Sequence, residues 1–225
     1  MNAPGDATGL RRFRHIVIEG PIGVGKSSLA RKLAARLGAD LLLEQPEENP
    51  FLGRSYADMP GYAFQTQLFF LFQRLKQMQA AAQPGMFASA VVGDFLFAKD
   101  ALFARLTLSD DEFRLYSQMY AQIAPQVREP DLVVWLQASP ETLLQRIRRR
   151  AIGMELGLTA EYLQRLCDAY VEYFHAYEGA PVFAIGTEHF NPVERDADFE
   201  TLLERLALFR GPREFFNSHV EIPFG

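Results

Sequence analysis

The chain has 225 residues, 48% of them hydrophobic, and a net charge of −5. This length suits a single α/β domain with a sizeable core, and the acidic balance argues against nucleic acid as the main partner. The single cysteine, Cys167, excludes an internal disulfide framework and a cysteine-based zinc site, and it favours a reducing cytoplasm. Because residues 1–12 lack a long apolar run, we expect a flexible leader there, with neither a signal peptide nor a membrane span.

A glycine-rich loop follows the leader. Residues 15–19 predict a buried strand and residues 27–37 an amphipathic helix. The connection reads Gly20-Pro21-Ile22-Gly23-Val24-Gly25-Lys26-Ser27, which satisfies G-x-x-x-x-G-K-[ST]. Glycines let the backbone approach phosphates closely, and the helix N-terminus offers unpaired N–H donors. The loop therefore predicts a triphosphate site, in which Lys26 supplies positive charge and the Ser27 hydroxyl holds Mg2+.

Two carboxylates come directly after predicted strands. Glu44 ends the apolar stretch 39–43, and Asp94 ends the stretch 89–93. Open α/β sheets bind their ligands at the carboxyl ends of the strands. We therefore expect both carboxylates near the phosphate loop.

A long helix is predicted over residues 62–82, after a short one over 51–56. Gln67 and Arg74 are seven residues apart on the long helix, which returns them to nearly the same azimuth. Both side chains are therefore expected to point into one cavity.

The second half of the chain alternates helices with strands. Helices are predicted at residues 96–105, 110–127, 140–150, 159–177 and 198–209, with Ser109 as an N-cap, and strands at 131–137 and 181–185. Such alternation implies a parallel sheet of about five strands with right-handed crossovers. We expect one domain over residues 13–210, followed by a tail over 211–225.

An arginine cluster ends the helix that begins near Ser139. It contains Arg146, Arg148, Arg149 and Arg150. Arg146 and Arg150 are one helical turn apart, so they can share a face and clamp developing phosphate charge. For Arg148 and Arg149 a solvated face is the expectation.

Taken together, these stretches resemble the deoxynucleoside kinase family, which transfers the γ-phosphoryl of ATP to the 5′-hydroxyl of a deoxynucleoside in nucleotide salvage. The resemblance covers residues 14–210. The family's phosphate loop matches residues 20–28, which adds Ser28 to the candidate ATP ligands. Its carboxylate-proline element matches Glu44-Gln45-Pro46 with one inserted residue, and Glu48-Asn49-Pro50-Phe51 looks like the bacterial branch.

The resemblance implies roles for residues of the acceptor pocket. Glu44 matches the general base, Tyr56 a sugar-binding tyrosine, and Gln67 the glutamine that reads the base. Arg74 matches a nearby arginine and Asp100 its acidic companion. Phe70 and Phe103 are candidate stacking walls, although aromatic residues at helical spacing are more often plain core.

The resemblance also implies a lid over residues 144–158 that closes over ATP, with Arg146 and Arg150 as its cations. Glu155 matches the lid acid that touches the sugar 3′-hydroxyl. The adenine is expected beside residues 186–198, with Phe190 and Asn191 as possible contacts.

One position departs from the family pattern. The family has an acid followed by arginine and serine, whereas this chain reads Asp94-Phe95-Leu96. Asp94 can still arrange Mg2+, but the arginine is absent, and Lys99 is a candidate to supply its charge.

The favoured function is thus a deoxynucleoside kinase acting on a purine, with ATP and Mg2+. One alternative is a nucleoside monophosphate kinase such as a thymidylate kinase, and another is a non-catalytic nucleotide-binding subunit, suggested by Phe95. The aromatic stretches 64–72 and 113–120 exceed what one small core needs, which favours a homodimer. The four histidines form no ligand cluster in the sequence, so a metal site made of imidazoles is not expected.

Overall fold

The structure is a computed structural model that describes residues 7–82, 90–155 and 157–217. Its helices are α1 (Lys26–Leu37), α2 (Leu52–Ala57), α3 (Met59–Ala82), α4 (Asp100–Thr107), α5 (Asp110–Ile123), α6 (Pro140–Arg150), α7 (Ala160–Ala176) and α8 (Asp196–Leu208). Its strands are β1 (His15–Glu19), β2 (Asp40–Leu42), β3 (Val91–Gly93), β4 (Leu132–Gln137), β5 (Val182–Gly186) and β6 (Arg213–Phe216). Parts of several predictions lie outside the described residues: Ser89 of the third strand, Leu156 of the lid, and residues 1–6 and 218–225 of the two termini.

The strands form one parallel sheet in the order β2-β3-β1-β4-β5-β6. The predicted α/β class is confirmed, but the predicted count of about five strands was wrong, because β6 adds a sixth. This strand lies in the stretch expected to be a tail, and Val182 pairs with Arg213 in its register. Its short Arg-Glu-Phe-Phe sequence carries no clear alternation, but the Phe216 ring packs against Phe183 and Phe190. The domain limits at residues 12 and 210 stay a prediction.

The sheet separates two hydrophobic cores. Ile16 and Ile18 of β1 pack in the core that contains α1 and α8, whereas Val17 packs in the core that contains α4 and α7. This split follows from the alternation of side chains along a strand. A third cluster joins α3 and α5. Among the described residues, no helix combines the length and apolarity needed to cross a bilayer.

The helix boundaries follow local chemistry. Ser109 is the N-cap of α5, as the sequence indicated, and it forms a reciprocal capping box with Glu112. Residues Phe97–Lys99 form a 3-10 turn before α4, so the α-helix begins later than predicted. A second 3-10 turn, Ala124–Gln126, follows α5. Residues Ala7–Arg12 also form a 3-10 helix, and Arg12 Nη2 donates to the carbonyl of Leu206 at 3.1 Å.

The glycine-rich loop leaves the carboxyl end of β1, in the middle of the sheet. Gly20, Gly23 and Gly25 all have positive φ angles, which favour glycine. A Cβ on Gly20 would also lie 2.4 Å from the carbonyl oxygen of Leu136 on β4. Glycine at this position is therefore required both by the backbone conformation and by the close approach of the neighbouring strand.

Candidate active site

A cavity of about 340 Å³ opens at the carboxyl ends of β1, β2 and β3, beneath α3. Predicted site residues from separate parts of the chain line it. They are Gly23, Gly25, Lys26, Ser27, Ser28, Glu44, Tyr56, Gln67, Arg74, Asp94, Arg150 and Glu155. The structure thus brings most of the candidate residues to one place, and we refer to this space as the acceptor cavity.

Lys26 lies folded over the phosphate loop. Its Nζ donates to the carbonyl oxygens of Gly20 at 2.8 Å and Pro21 at 3.2 Å. Burial, reinforced by repulsion from Lys99, lowers the pKa of Lys26 to about 8. The ammonium group therefore loses its proton at a lower pH than an exposed lysine does.

Asp94 joins the phosphate loop to the end of β2. Its Oδ2 accepts a hydrogen bond from the Ser27 hydroxyl, and its Oδ1 accepts one from the backbone N–H of Glu44 at 2.7 Å. Burial raises the pKa of Asp94. The adjacent hydroxyl and carboxylate oxygens fit Mg2+, which is commonly held by one or two protein oxygens together with substrate phosphates. No cluster of three or more His, Cys, Asp or Glu side chains with metal-site geometry occurs in the described part of the chain.

Arg74 connects two carboxylates at the wall of the acceptor cavity. Its Nε donates to Glu44 Oε1 at 2.9 Å, and its Nη1 contacts Asp100. Asp100 is fully buried and does not line the cavity. Burial alone favours a neutral Glu44, but the nearby Arg74 and Lys99 outweigh it and lower the pKa of Glu44 to about 2. Glu44 is therefore ionised at neutral pH.

The far end of the cavity combines one amide with aromatic and small polar groups. Gln67 Nε2 donates to the Thr107 hydroxyl oxygen at 3.3 Å. Phe70 and Phe103 also line the cavity. Gln67 and Arg74 line the same cavity, as their spacing predicted. Thr107 was not singled out in the sequence, because its partner lies 40 residues away.

Another part of the cavity is lined by side chains from the end of α6 and from neighbouring elements. Arg150 forms an ion pair with Glu155, and both residues line the cavity together with Tyr56. Burial raises the pKa of Tyr56, so its hydroxyl stays protonated. These three side chains converge from α2, α6 and the 3-10 turn Gly153–Glu155.

A second cavity, of about 310 Å³, lies on the other side of the phosphate loop. Gly23, Gly25, Ser28 and Arg150 line both cavities. Arg146 faces this second space, where its Nη1 donates to the Thr187 hydroxyl at 3.0 Å and its Nη2 to the Thr187 carbonyl at 2.6 Å. We refer to this space as the donor cavity.

Only some of the other residues expected near the donor cavity line it. Asn191 lines it, whereas Phe190 is buried in the core and does not. Arg148 is exposed, as expected. Arg149 is also exposed, but it lines the donor cavity and pairs with Glu194 at 2.6 Å.

A buried network behind the acceptor cavity was missed in the sequence. Glu19 is fully buried, and its Oε1 accepts from Lys99 Nζ at 3.1 Å, the Tyr170 hydroxyl at 2.9 Å and the backbone N–H of Gly20 at 2.8 Å. Lys99 lines the acceptor cavity, whereas Phe95 is buried outside it. A glutamate within an apolar strand was the available signal, because a buried charge requires a partner.

The family model described as Deoxynucleoside kinase matches residues 16–209. The chain belongs to the deoxynucleoside kinase family. As a deoxynucleoside kinase it is an enzyme that transfers phosphate to a nucleoside hydroxyl, which confirms the resemblance seen in the sequence.

Individual relatives agree with the family assignment. This kinase is 33% identical over 156 residues to a deoxyguanosine kinase of Bacillus subtilis (strain 168), an alignment covering 69% of this chain and 75% of the relative. It is 35% identical over 162 residues to a deoxyadenosine kinase of Dictyostelium discoideum, an alignment covering 71% of this chain and 66% of that relative. The solved structure of deoxyadenosine kinase from M. mycoides with bound dCTP shares the fold, with a TM-score of 0.74 and 24% identity over 87% of this chain and all of that one.

Proposed function

We propose that this kinase transfers the γ-phosphoryl group of ATP to the 5′-hydroxyl of a purine deoxynucleoside, deoxyadenosine or deoxyguanosine. The observation that carries the proposal is the position of the phosphate loop between two cavities, with Gly23, Gly25 and Ser28 lining both. A triphosphate held on this loop reaches from the donor cavity to the edge of the acceptor cavity. The preference for a purine is supported by two of the relatives, a deoxyguanosine kinase and a deoxyadenosine kinase.

Glu44 is the proposed general base. The 5′-oxygen bonds to the γ-phosphorus, the bond from that phosphorus to the β–γ bridging oxygen breaks, and the hydroxyl proton passes to the Glu44 carboxylate. Arg74 holds this carboxylate ionised and oriented through the Nε contact at 2.9 Å. Because the pKa of about 2 makes Glu44 a weak base in the free enzyme, the proton is expected to transfer late, as the phosphoryl group departs.

The phosphates are expected to lie among fixed donors and cations. The N–H groups of the phosphate loop and the Lys26 ammonium would bind them, and Arg146 and Arg150 would approach from the lid. Ser27 and Asp94 would hold Mg2+, which when bound offsets negative charge on the β- and γ-phosphates. Closure of the lid excludes water and so favours transfer over hydrolysis of ATP.

Lys99 is the proposed cation of the acceptor cavity. Its side chain is 2% exposed, and it lines the cavity while Glu19 holds its Nζ. Its charge lowers the pKa of both Lys26 and Glu44, so its field reaches the residues around the transferred group. This position supports Lys99 as the replacement for the arginine absent after Asp94.

Other residues in and behind the acceptor cavity have proposed roles in binding the nucleoside. Gln67 would read the base between Phe70 and Phe103, while Tyr56 and Glu155 would bind the sugar. Asp100 would hold Arg74 on the side away from the cavity.

A homodimer formed through α3 and α5 is supported by Phe72 and Leu115, large apolar side chains 50% and 46% exposed on these helices. A cytoplasmic location remains a prediction from the single cysteine.

The test is transfer of labelled phosphate from ATP and Mg2+ to the four deoxynucleosides and their monophosphates. The purine deoxynucleosides are expected to be the best acceptors, and Lys26→Ala should abolish transfer. Turnover on monophosphates alone would replace the proposal with a nucleoside monophosphate kinase. ATP binding without any turnover would instead indicate a non-catalytic subunit.

A further inference from the structure

The base-binding end of the acceptor cavity contains a side chain that contacts Gln67 from a different helix. Thr107 is the last residue of α4, and its hydroxyl oxygen lies 3.3 Å from Gln67 Nε2. Both residues line the cavity, and Gln67 is 7% exposed. The Thr107 hydroxyl is therefore placed to influence the orientation of this buried amide.

Thr107 makes a second hydrogen bond, and this bond determines whether the nitrogen or the oxygen of the Gln67 amide can face the Thr107 hydroxyl. The Thr107 hydroxyl donates its only hydrogen to the carbonyl oxygen of Phe103, at 2.7 Å. Its oxygen is then available to Gln67 only as an acceptor. If the amide were flipped, Gln67 Oε1 would face the Thr107 oxygen with no hydrogen between them. Thr107 therefore holds the nitrogen towards α4 and leaves Oε1 and the second N–H for a ligand.

We propose that Thr107 is a specificity-determining positioning residue, which holds the Gln67 amide in one orientation and thereby makes the enzyme prefer one of the two purine bases. The inference rests on the proposed function, because it assumes that Gln67 reads the base. At its six-membered ring adenine presents an amino donor beside the N1 acceptor, whereas guanine presents the O6 acceptor beside the N1–H donor. An amide that is free to flip can pair with either arrangement of donor and acceptor. An amide fixed in one orientation can pair with only one of the two arrangements, for a given placement of the purine ring.

The experiment compares kcat/KM for deoxyadenosine and deoxyguanosine in the wild type and in Thr107→Val. The valine keeps the shape of threonine but offers no acceptor. The wild type should prefer one purine, and the preference should shrink about two- to tenfold in Thr107→Val, the effect of losing one buried hydrogen bond. Thr107→Ser keeps the hydroxyl and should retain the wild-type preference. Thr201→Val is the matched control, because Thr201 donates to the carbonyl four residues earlier on α8, outside both cavities.

A double-mutant cycle tests whether Thr107 acts through Gln67. In a Gln67→Ala background, Thr107→Val should leave the purine preference unchanged, because no amide remains to be oriented. A change as large as in the wild-type background would show that Thr107 contacts the base directly, and it would overturn the inference.

The remaining outcomes separate the inference from the function on which it rests. Equal kcat/KM for both purines in the wild type, or an unchanged preference in Thr107→Val, would overturn the inference alone. Absence of transfer to either purine by the wild type would overturn the proposed function and the inference with it.

Discussion

Three cations lie near Glu44, and they determine both the ionisation of its carboxylate and its orientation. Arg74 contacts it directly, while Lys99 and Lys26 act on it through space. Substituting Glu44 by Gln keeps the shape of the side chain but removes a proton acceptor. We therefore expect Glu44→Gln to lower kcat by about 100-fold or more, the usual range for loss of general-base catalysis. Nucleoside affinity, measured by equilibrium binding, should change little.

The control for this variant is Glu161→Gln, which alters an exposed glutamate on α7. Its kcat should match that of the wild type. An unchanged kcat in Glu44→Gln would remove Glu44 as the base.

The proposed role of Lys26, which is to bind phosphate through its ammonium group, requires the protonated form of the side chain. Burial and Lys99 lower its pKa from 10.5 to about 8, so the free enzyme loses this charge about 2.5 pH units earlier than an exposed lysine would. We expect kcat/KM for ATP to be level below about pH 8 and to fall about tenfold per pH unit above it. Lys26→Arg keeps its charge at high pH, so its lower activity should not show this decline. A level wild-type profile up to pH 10 would contradict the assignment.

At the scale of elements, α6 places cations on two sides of the phosphate loop. Arg146 faces the donor cavity, whereas Arg150 lines both cavities and pairs with Glu155. Arg150→Ala should lower kcat by about tenfold or more, because it removes a cation that we propose stabilises developing phosphate charge. Arg148→Ala provides the comparison on the same helix, since Arg148 is exposed and lines neither cavity. Equal effects of the two substitutions would exclude a specific role for Arg150.

Features formed by residues close together in the chain were predictable from the sequence, whereas features formed by distant residues were not. The phosphate loop was predictable because its ligands are contiguous, and Gln67 and Arg74 because both lie on one helix. The Glu19–Lys99 pair joins residues 80 positions apart, and local spacing carries no information about such a contact. The strand β6 was missed because its four residues obtain their stability from packing against β5 rather than from a periodic pattern.

At the scale of the whole molecule, the proposed dimer depends on apolar groups exposed on α3 and α5. A charge placed within a buried interface is costly, so Phe72→Glu should shift the protein from dimer to monomer at micromolar concentration. The measurement is molar mass by light scattering. Leu208→Glu is the matched control, because Leu208 is 73% exposed on α8, away from α3 and α5. A monomeric wild type, or a dimer that Phe72→Glu leaves intact, would contradict the proposed interface.

We propose that one molecule holds ATP and a nucleoside on opposite sides of the phosphate loop and transfers phosphate between them. The most direct measurement is phosphorus NMR of a reaction containing the enzyme, ATP, Mg2+ and a purine deoxynucleoside. We expect one nucleoside 5′-monophosphate for every ADP formed. Formation of ADP with inorganic phosphate alone, or of a 3′-monophosphate, would contradict it.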